Sequence, residues 1–204
     1  MAYKFFKRLF DICVSLKLII LLLPVYLIII IMIRLNRDGK AIFKQTRAGK
    51  NGNPFIFYKF RTMKPDVNPF GASPKSGDDP RLTKIGIFLR KTSLDELPQL
   101  FNVLKGNMSL VGPRPLYVEQ IAEWNDEQKK RLLVKPGLTG LAQINGRGEL
   151  TIEAKLAFDV EYVKKASFLF DLKIIFMTIG LVLGSANIYE KNYSRNEKTR
   201  GQKD

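Results

Sequence analysis

The most strongly patterned part of the chain is its first quarter. Leu18 to Ile33 is an unbroken apolar run of sixteen residues, which as a helix would reach about 24 Å, short of the roughly 30 Å of bilayer hydrocarbon. Extending the run back to Leu9 lengthens it only by admitting Asp11 and Lys17. Pro24 falls inside it, where the missing N–H removes a helical hydrogen bond and favours a bend. Basic residues flank both ends: Lys4, Lys7 and Arg8 before, Arg34, Arg37 and Lys40 after. A single spanning helix would place one of these groups on the outer face, against the positive-inside tendency. A cleaved signal lacks a small-residue cleavage site. A re-entrant element over residues 1–37, broken at Pro24 and returning to the face it entered, accommodates both flanks.

Beyond it the pattern predicts an α+β, mostly α, domain over 38–188. The β-prone runs Ala41–Phe43 and Phe55–Tyr58 flank the turn-rich Gly49–Pro54 and predict a short β-hairpin. Lys64–Arg81 carries Pro65, Pro69, Pro74 and Pro80, and is expected to be a long irregular loop. Helices are expected at Leu97–Lys105, at about Leu116–Leu133 and at Thr151–Lys165. In Ser167–Gly184 a helical stripe of Phe168, Leu169, Leu172, Ile175, Phe176 and Ile179 leaves Asp171 and Lys173 aside. That stripe fits a buried amphipathic helix and an interfacial one equally well. The polar tail 189–204 is expected to be flexible.

Charge and composition narrow the chemistry. The chain of 204 residues has 34 Lys and Arg against 19 Asp and Glu, a net charge of +15. A polyanionic partner follows: nucleic acid, an anionic membrane surface or a phosphorylated substrate. Much of the excess lies beside the apolar run, which favours membrane anchoring over groove binding. The absence of histidine excludes Ser-His-Asp and Cys-His sites, His-ligated metal and an imidazole base. A lone Cys13 excludes an intrachain disulfide and a cysteine zinc site. In its apolar run it is expected to be an inert small hydrophobe. Any metal would be a hard cation on oxygen ligands. Neither a Walker A motif nor a G-x-G-x-x-G is present, which argues against a P-loop kinase and a Rossmann oxidoreductase.

The sharpest local feature is Ser93-Leu94-Asp95-Glu96-Leu97-Pro98, leading into a short amphipathic helix that Gly106 terminates. Asp95 and Glu96 fall at its N-terminal edge, where the helix dipole favours anions. Taken alone, a capping box of Ser93 and Glu96 with a solvated Asp95 explains the pair as well. The cations elsewhere change the balance. Lys59 and Arg61 sit in Tyr58-Lys59-Phe60-Arg61, and Arg90 precedes Asp95 by five residues. Arg114 lies between prolines and Arg147 between glycines. Each could be an ordinary surface cation, but together with a carboxylate pair they suit phosphoryl transfer.

Several motifs in register carry a resemblance over nearly the whole chain: Lys7-Arg8-Leu9-Phe10-Asp11, Phe43-Lys44-Gln45-Thr46-Arg47-Ala48-Gly49, Tyr58-Lys59-Phe60-Arg61-Thr62-Met63, Asp79-Pro80-Arg81-Leu82-Thr83, the block from Leu89 to Pro115, and Lys135-Pro136-Gly137 onward to Arg147. The sequence resembles the bacterial sugar transferases, the monotopic phosphoglycosyl transferases, of the small type that acts on undecaprenyl phosphate. The resemblance implies transfer of a sugar-1-phosphate from a UDP-sugar to a polyprenyl (undecaprenyl) phosphate, releasing UMP, as the first membrane step of glycoconjugate or polysaccharide (exopolysaccharide) biosynthesis. It implies that Asp95 is the nucleophile, that a covalent aspartyl-phosphosugar forms, and that Mg²⁺ binds at Asp95 and Glu96. Lys59, Arg61, Arg90, Arg114 and Arg147 would then bind substrate phosphates. The implied setting is the bacterial inner (cytoplasmic) membrane, with the catalytic domain on its cytoplasmic face and the re-entrant element broken at Pro24. Membrane lipids and downstream glycosyltransferases are the implied partners, and no nucleic acid. Two positions depart from the family pattern: Leu23 stands where a serine often precedes the proline, and Asn107 where Asp is common. The residue chemistry agrees with the implied route, since an Asp with a pKa near ~3.9 is already ionised at neutral pH and needs no histidine base. Two alternatives are a non-catalytic membrane scaffold of a polysaccharide assembly complex and a membrane-anchored nucleic-acid-binding module.

Overall fold

In the computed structural model the described residues are 2–36, 39–67, 74 and 76–184; the expected tail 189–204 and part of the Lys64–Arg81 loop lie outside them. The chain begins with α1 (Ala2–Leu21) and α2 (Leu23–Leu35). A hairpin follows, β1 (Ile42–Ala48) with β2 (Pro54–Phe60), then α3 (Lys84–Lys91), α4 (Gln99–Lys105) and β3 (Ser109–Val111). The second half holds α5 (Asp126–Lys129), β4 (Gly137–Thr139), α6 (Leu141–Ile144), α7 (Ile152–Lys165) and α8 (Phe168–Leu183). The fold is thus mostly helical with two small two-stranded sheets, an antiparallel β1–β2 pair and a parallel β3–β4 pair.

The first two helices bend by 60° where they meet. Pro24 does not kink the middle of a helix, as its position in the run suggested. It occupies the first turn of α2, where its missing N–H costs nothing, and the break itself falls at Leu22. No single described helix is long and apolar enough to cross a membrane, whereas the bent pair together has the length and composition to enter one.

The outward and inward faces of α1 are reversed relative to an ordinary soluble helix. Phe5, Phe6, Leu9, Leu16 and Ile20 are exposed, while Asp11 and Ser15 are buried. Tyr3, Lys7, Arg8 and Asp11 of α1 bond to the domain. Asp11 accepts hydrogen bonds from the Ser109 hydroxyl at 3.1 Å and the Leu110 N–H at 3.0 Å. Arg8 donates to the Val103 and Leu104 carbonyls at 2.6 and 2.8 Å, capping the C-terminal end of α4. Lys7 pairs with Asp171 of α8 at 2.6 Å, and Tyr3 and Tyr162 donate to the same carboxylate. α8 repeats the reversal, with Asp171 and Ile174 buried and Leu169, Phe176, Met177 and Ile179 exposed. The C-terminal stripe therefore faces outward, which excludes the buried-helix alternative for most of it. Cys13 is exposed on α1 rather than packed in a core.

The hairpin is longer than its β-prone runs suggested, seven residues on each strand in a register from Ile42 opposite Phe60 to Ala48 opposite Pro54. Asn51 and Gly52 have positive φ in the turn, which explains the Asn-Gly there. Phe55, Phe57, Leu100, Val103, Met108, Leu110, Tyr162 and Ile174 form the main core. Tyr26, Ile29 and Ile33 of α2 pack with Phe60, Ile85 and Leu89 in a second one.

The continuous helix expected over Leu116–Leu133 is not formed. It divides into a 3₁₀ segment (Val118–Glu123), α5 and a further 3₁₀ turn (Lys130–Leu133). The cause is local: the Asn125 side chain accepts from the Gln128 N–H while the Gln128 side chain accepts from the Asn125 N–H, a capping box that starts a new helix. Trp124, extended just before it, buries its ring with Leu116 and Leu156. α3 and the β3–β4 pair were not anticipated.

Candidate active site

β1 and β2 alternate their side chains, so Phe43, Gln45 and Arg47 share a face with their cross-strand neighbours, Lys59 among them. That face forms one wall of a cavity of about 380 Å³. Asp95 and Glu96 of the 3₁₀ turn Leu94–Glu96 line it too, as do residues of α6 and α7. Every cation singled out from the sequence lines this cavity together with Asp95 and Glu96: Lys59, Arg61, Arg90, Arg114 and Arg147. Pro24 is elsewhere, at the helix break.

The dyad does not start a helix directly, since α4 begins at Gln99, three residues after Glu96. The capping box of Ser93 and Glu96 is absent. Ser93 is left-handed at φ 57°, and its hydroxyl accepts from Arg147 Nη2 at 3.0 Å. Asp95 is buried at 5% exposure, so it is not a solvated first-turn carboxylate.

The two carboxylates have different surroundings. Glu96 Oε1 meets Arg114 Nη2 at 2.7 Å and Lys59 Nζ at 3.0 Å, and its Oε2 lies 3.4 Å from Arg114 Nη1. Burial alone would push its carboxyl up, but Arg114, Lys59 and Arg147 together hold it well below the usual carboxylate range. Asp95 has a lighter hold. Its Oδ2 is 3.4 Å from Lys59 Nζ, and among the described residues no donor bonds Oδ1. Lys59 thus bridges a firmly anchored Glu96 and a loosely held Asp95. Arg61 and Arg90 reach the same cavity but donate elsewhere, Arg61 to the Lys40 carbonyl at 2.9 Å and Arg90 to the Thr62 hydroxyl at 3.0 Å.

Several cavity residues were not singled out. Arg47 lies 3.6 Å from the centre of the Tyr117 ring and donates to Gln45. Arg131 pairs with Asp159 through Nε and Nη2 at 3.0 and 2.8 Å, both buried, and Nη2 also donates to the Arg114 carbonyl at 2.5 Å. That bond holds the backbone of the arginine which anchors Glu96. Burial pushes the Asp159 carboxyl up, against the pull of Arg131. Gln143 and Lys155 complete this side. Strand alternation offered a signal for Gln45 and Arg47, because both share the face of Lys59.

Among the described residues no three acidic or cysteine side chains converge to hold a metal. Asp95 and Glu96 are nonetheless suited to Mg²⁺, which commonly binds through one or two carboxylates plus substrate phosphates and water. The Oδ1 of Asp95 is open, whereas Glu96 already shares its oxygens with Lys59 and Arg114.

Residues 2–185 match the family of bacterial sugar transferases. The chain is 44% identical over 198 residues to the uncharacterized sugar transferase EpsL of Bacillus subtilis, covering 97% of each. It is 45% identical over 181 residues to the UDP-glucose:undecaprenyl-phosphate glucose-1-phosphate transferase of Escherichia coli, covering 85% of this chain and 39% of that one. It is 40% identical over 202 residues to the undecaprenyl-phosphate galactose phosphotransferase of Salmonella typhimurium, covering 91% and 42%. The chain therefore spans nearly all of the Bacillus relative and about two fifths of the length of the other two.

Proposed function

Because this chain belongs to the bacterial sugar transferase family and is on that footing a sugar-phosphate transferase, we propose that it moves a sugar-1-phosphate from a UDP-sugar to undecaprenyl phosphate. The observation that carries the chemistry is the asymmetry of the dyad: Glu96 is pinned by Lys59 and Arg114, and Asp95 keeps an unbonded oxygen in the same cation-lined cavity. Asp95 attacks the sugar-linked phosphorus, the bond from that phosphorus to the bridging oxygen breaks, and UMP leaves with the electron pair. An oxygen of the lipid phosphate then attacks the aspartyl-phosphosugar, forming the lipid diphosphosugar and freeing the carboxylate. A carboxylate and a phosphate oxygen both attack without a base to deprotonate them, so neither step needs a histidine.

Lys59, Arg114 and Arg147 offset the charge that builds on the phosphates, and Arg61 and Arg90 extend the same lining. Asp95 and Glu96 are the residues that would hold Mg²⁺, which when bound would neutralise part of the diphosphate charge. Glu96 serves mainly to hold Lys59 and Arg114 in place.

The reversed faces of α1 and α8 support a seat in the cytoplasmic membrane. Large apolar side chains are exposed on both helices while Asp11 and Asp171 are buried, a cost in water that lipid removes. The 60° bend between the two helices suits a re-entrant path back to the face of entry, with the catalytic domain on the cytoplasmic face beside the lipid phosphate.

The test is UMP release in nanodiscs with Mg²⁺, undecaprenyl phosphate and a panel of UDP-sugars, wild type beside Asp95→Asn. Release with at least one donor, abolished in the variant and by EDTA, is the expected result. Turnover close to wild type in Asp95→Asn removes Asp95 from its role, and no release with any donor removes the reaction.

A further inference from the structure

We propose that the cavity wall formed by α6 and α7 is a subsite for a vicinal diol of the nucleotide-sugar donor, read by Gln143 and Asp159. The inference rests on the donor class proposed above and names the part of the donor that this wall meets.

Gln143 lies on α6, Asp159 on α7, and both line the cavity that holds the dyad. The Gln143 side chain is anomalous. Its Oε1 and Nε2 are both shut off from solvent, and neither has a hydrogen-bond partner among the described residues. Asp159 Oδ1 is in the same condition, because both bonds from Arg131 go to Oδ2. Buried amides and carboxylates are nearly always satisfied. Three orphaned atoms on two packed helices, all belonging to cavity-lining residues, mark a place that something else completes.

Their chemistry defines what that is. Together they offer one N–H donor group and two acceptor oxygens. A phosphate supplies only acceptors and would meet the Asp159 carboxylate. Lys59, Arg114 and Arg147, which suit a phosphate, are disposed about the dyad and Ser93, whereas the cations of this wall, Arg131 and Lys155, are directed at Asp159. An apolar group would leave all three atoms unpaired. Neighbouring hydroxyls each donate and accept, so one can donate to Asp159 Oδ1 while the other exchanges bonds with the Gln143 amide. A UDP-hexose has such diols in its hexose and in its ribose, and the experiment separates them.

Gln143→Met keeps the side-chain length and removes both amide atoms, and Gln143→Asn keeps an amide but shortens its reach. In the full chain in nanodiscs, four quantities are measured: KM and kcat for UMP release from a UDP-hexose that wild type uses, the inhibition constant of UMP, and the melting temperature. Gln143→Met is expected to raise the donor KM about tenfold with kcat little changed and the melting temperature not lowered, the pattern of a lost binding contact. An unchanged UMP inhibition constant then assigns the hexose diol, and a parallel rise assigns the ribose diol. Donor KM and UMP inhibition within twofold of wild type in both variants overturn the proposal, the wall then holding water only. A wild type that binds a UDP-hexose calorimetrically without releasing UMP refutes the reaction alone, and the same titration on Gln143→Met still decides the subsite. Should the Met variant fail to fold, the Asn variant carries the comparison.

Discussion

Removing Arg114 tests the anchoring of Glu96 directly. Its guanidinium reaches both Glu96 oxygens, at 2.7 and 3.4 Å, with Glu96 13% and Arg114 31% exposed. Charge-assisted hydrogen bonds of this kind contribute about 1.5–3 kcal/mol. The partial exposure of Arg114 screens the pair, so the lower half of that range, about 1.5–2 kcal/mol, is expected. For a chain of this length that corresponds to a loss of roughly 3–8 °C in melting temperature for Arg114→Ala at pH 7. The pH dependence has a definite sign. Glu96 is held below its ordinary value of 4.5, so its stabilisation is fully present above that value and is lost as pH falls through the lower, folded-state value. The gap between wild type and Arg114→Ala should therefore be full at pH 7 and close progressively below about pH 4. Activity should fall by about 10²-fold, because a released Glu96 draws Lys59 away from Asp95. The assay is a double-mutant cycle of Arg114→Ala with Glu96→Gln, read by thermal unfolding in detergent and by UMP release. Strictly additive effects in the cycle would refute a direct coupling between the two side chains, and a gap constant from pH 7 to pH 3 would refute the electrostatic origin.

Four further outcomes follow from the same contacts. Asp11→Ala strands a buried hydroxyl and a backbone N–H, and should cost about 2–4 kcal/mol, read as an earlier melt and as faster hydrogen exchange at Leu110. Ser93→Gly relieves a left-handed residue while releasing Arg147; stability should stay within about 1 kcal/mol of wild type while turnover drops several-fold. Gly86→Ala would place a Cβ 2.0 Å from the Thr62 carbonyl oxygen, so α3 must move and carry Arg90 off Thr62, seen as loss of both folded yield and UMP release. A single cysteine introduced as Ala2→Cys in a Cys13→Ser background should be labelled only from the cytoplasmic side of oriented vesicles; labelling from the other side would contradict the hairpin topology.

Much of the site was legible because its residues carry charge in unusual settings. Asp95 with Glu96, Arg114 between prolines and Arg147 between glycines all stand out in one dimension, and the structure brings them to one cavity. What could not be read is what depends on the third dimension. Gln143 and Asp159 look like ordinary polar residues of amphipathic helices, and only their buried, unbonded side-chain atoms distinguish them. The roles of Asp11 and Asp171 were hidden for a related reason: a charge in an apolar segment is ambiguous until its bonding partner, here Leu110 or Lys7, comes into view. The break at Asn125 was missed because apolar spacing dominated the region, although Asn125-Asp126-Glu127-Gln128 does spell a helix start. β3 and β4, with three residues each, are too short for any periodicity to show.

The bonds that Arg8 makes to the last carbonyls of α4 have a mechanical consequence. The dyad stands just before the first turn of that helix, and α4 is seven residues, about 10 Å, long. The Arg8 anchor and the dyad thus lie toward opposite ends of one short helix, with only Leu97 and Pro98 between the dyad and its first residue. Embedded as proposed, the protein behaves as a depth gauge, holding Asp95 at one altitude relative to the hydrocarbon. Selection of the acceptor then begins with where its phosphate floats. A lipid riding a few ångströms too deep or too high would be passed over before any side chain recognised it, and changes in bilayer thickness would act on turnover as directly as a mutation in the cavity.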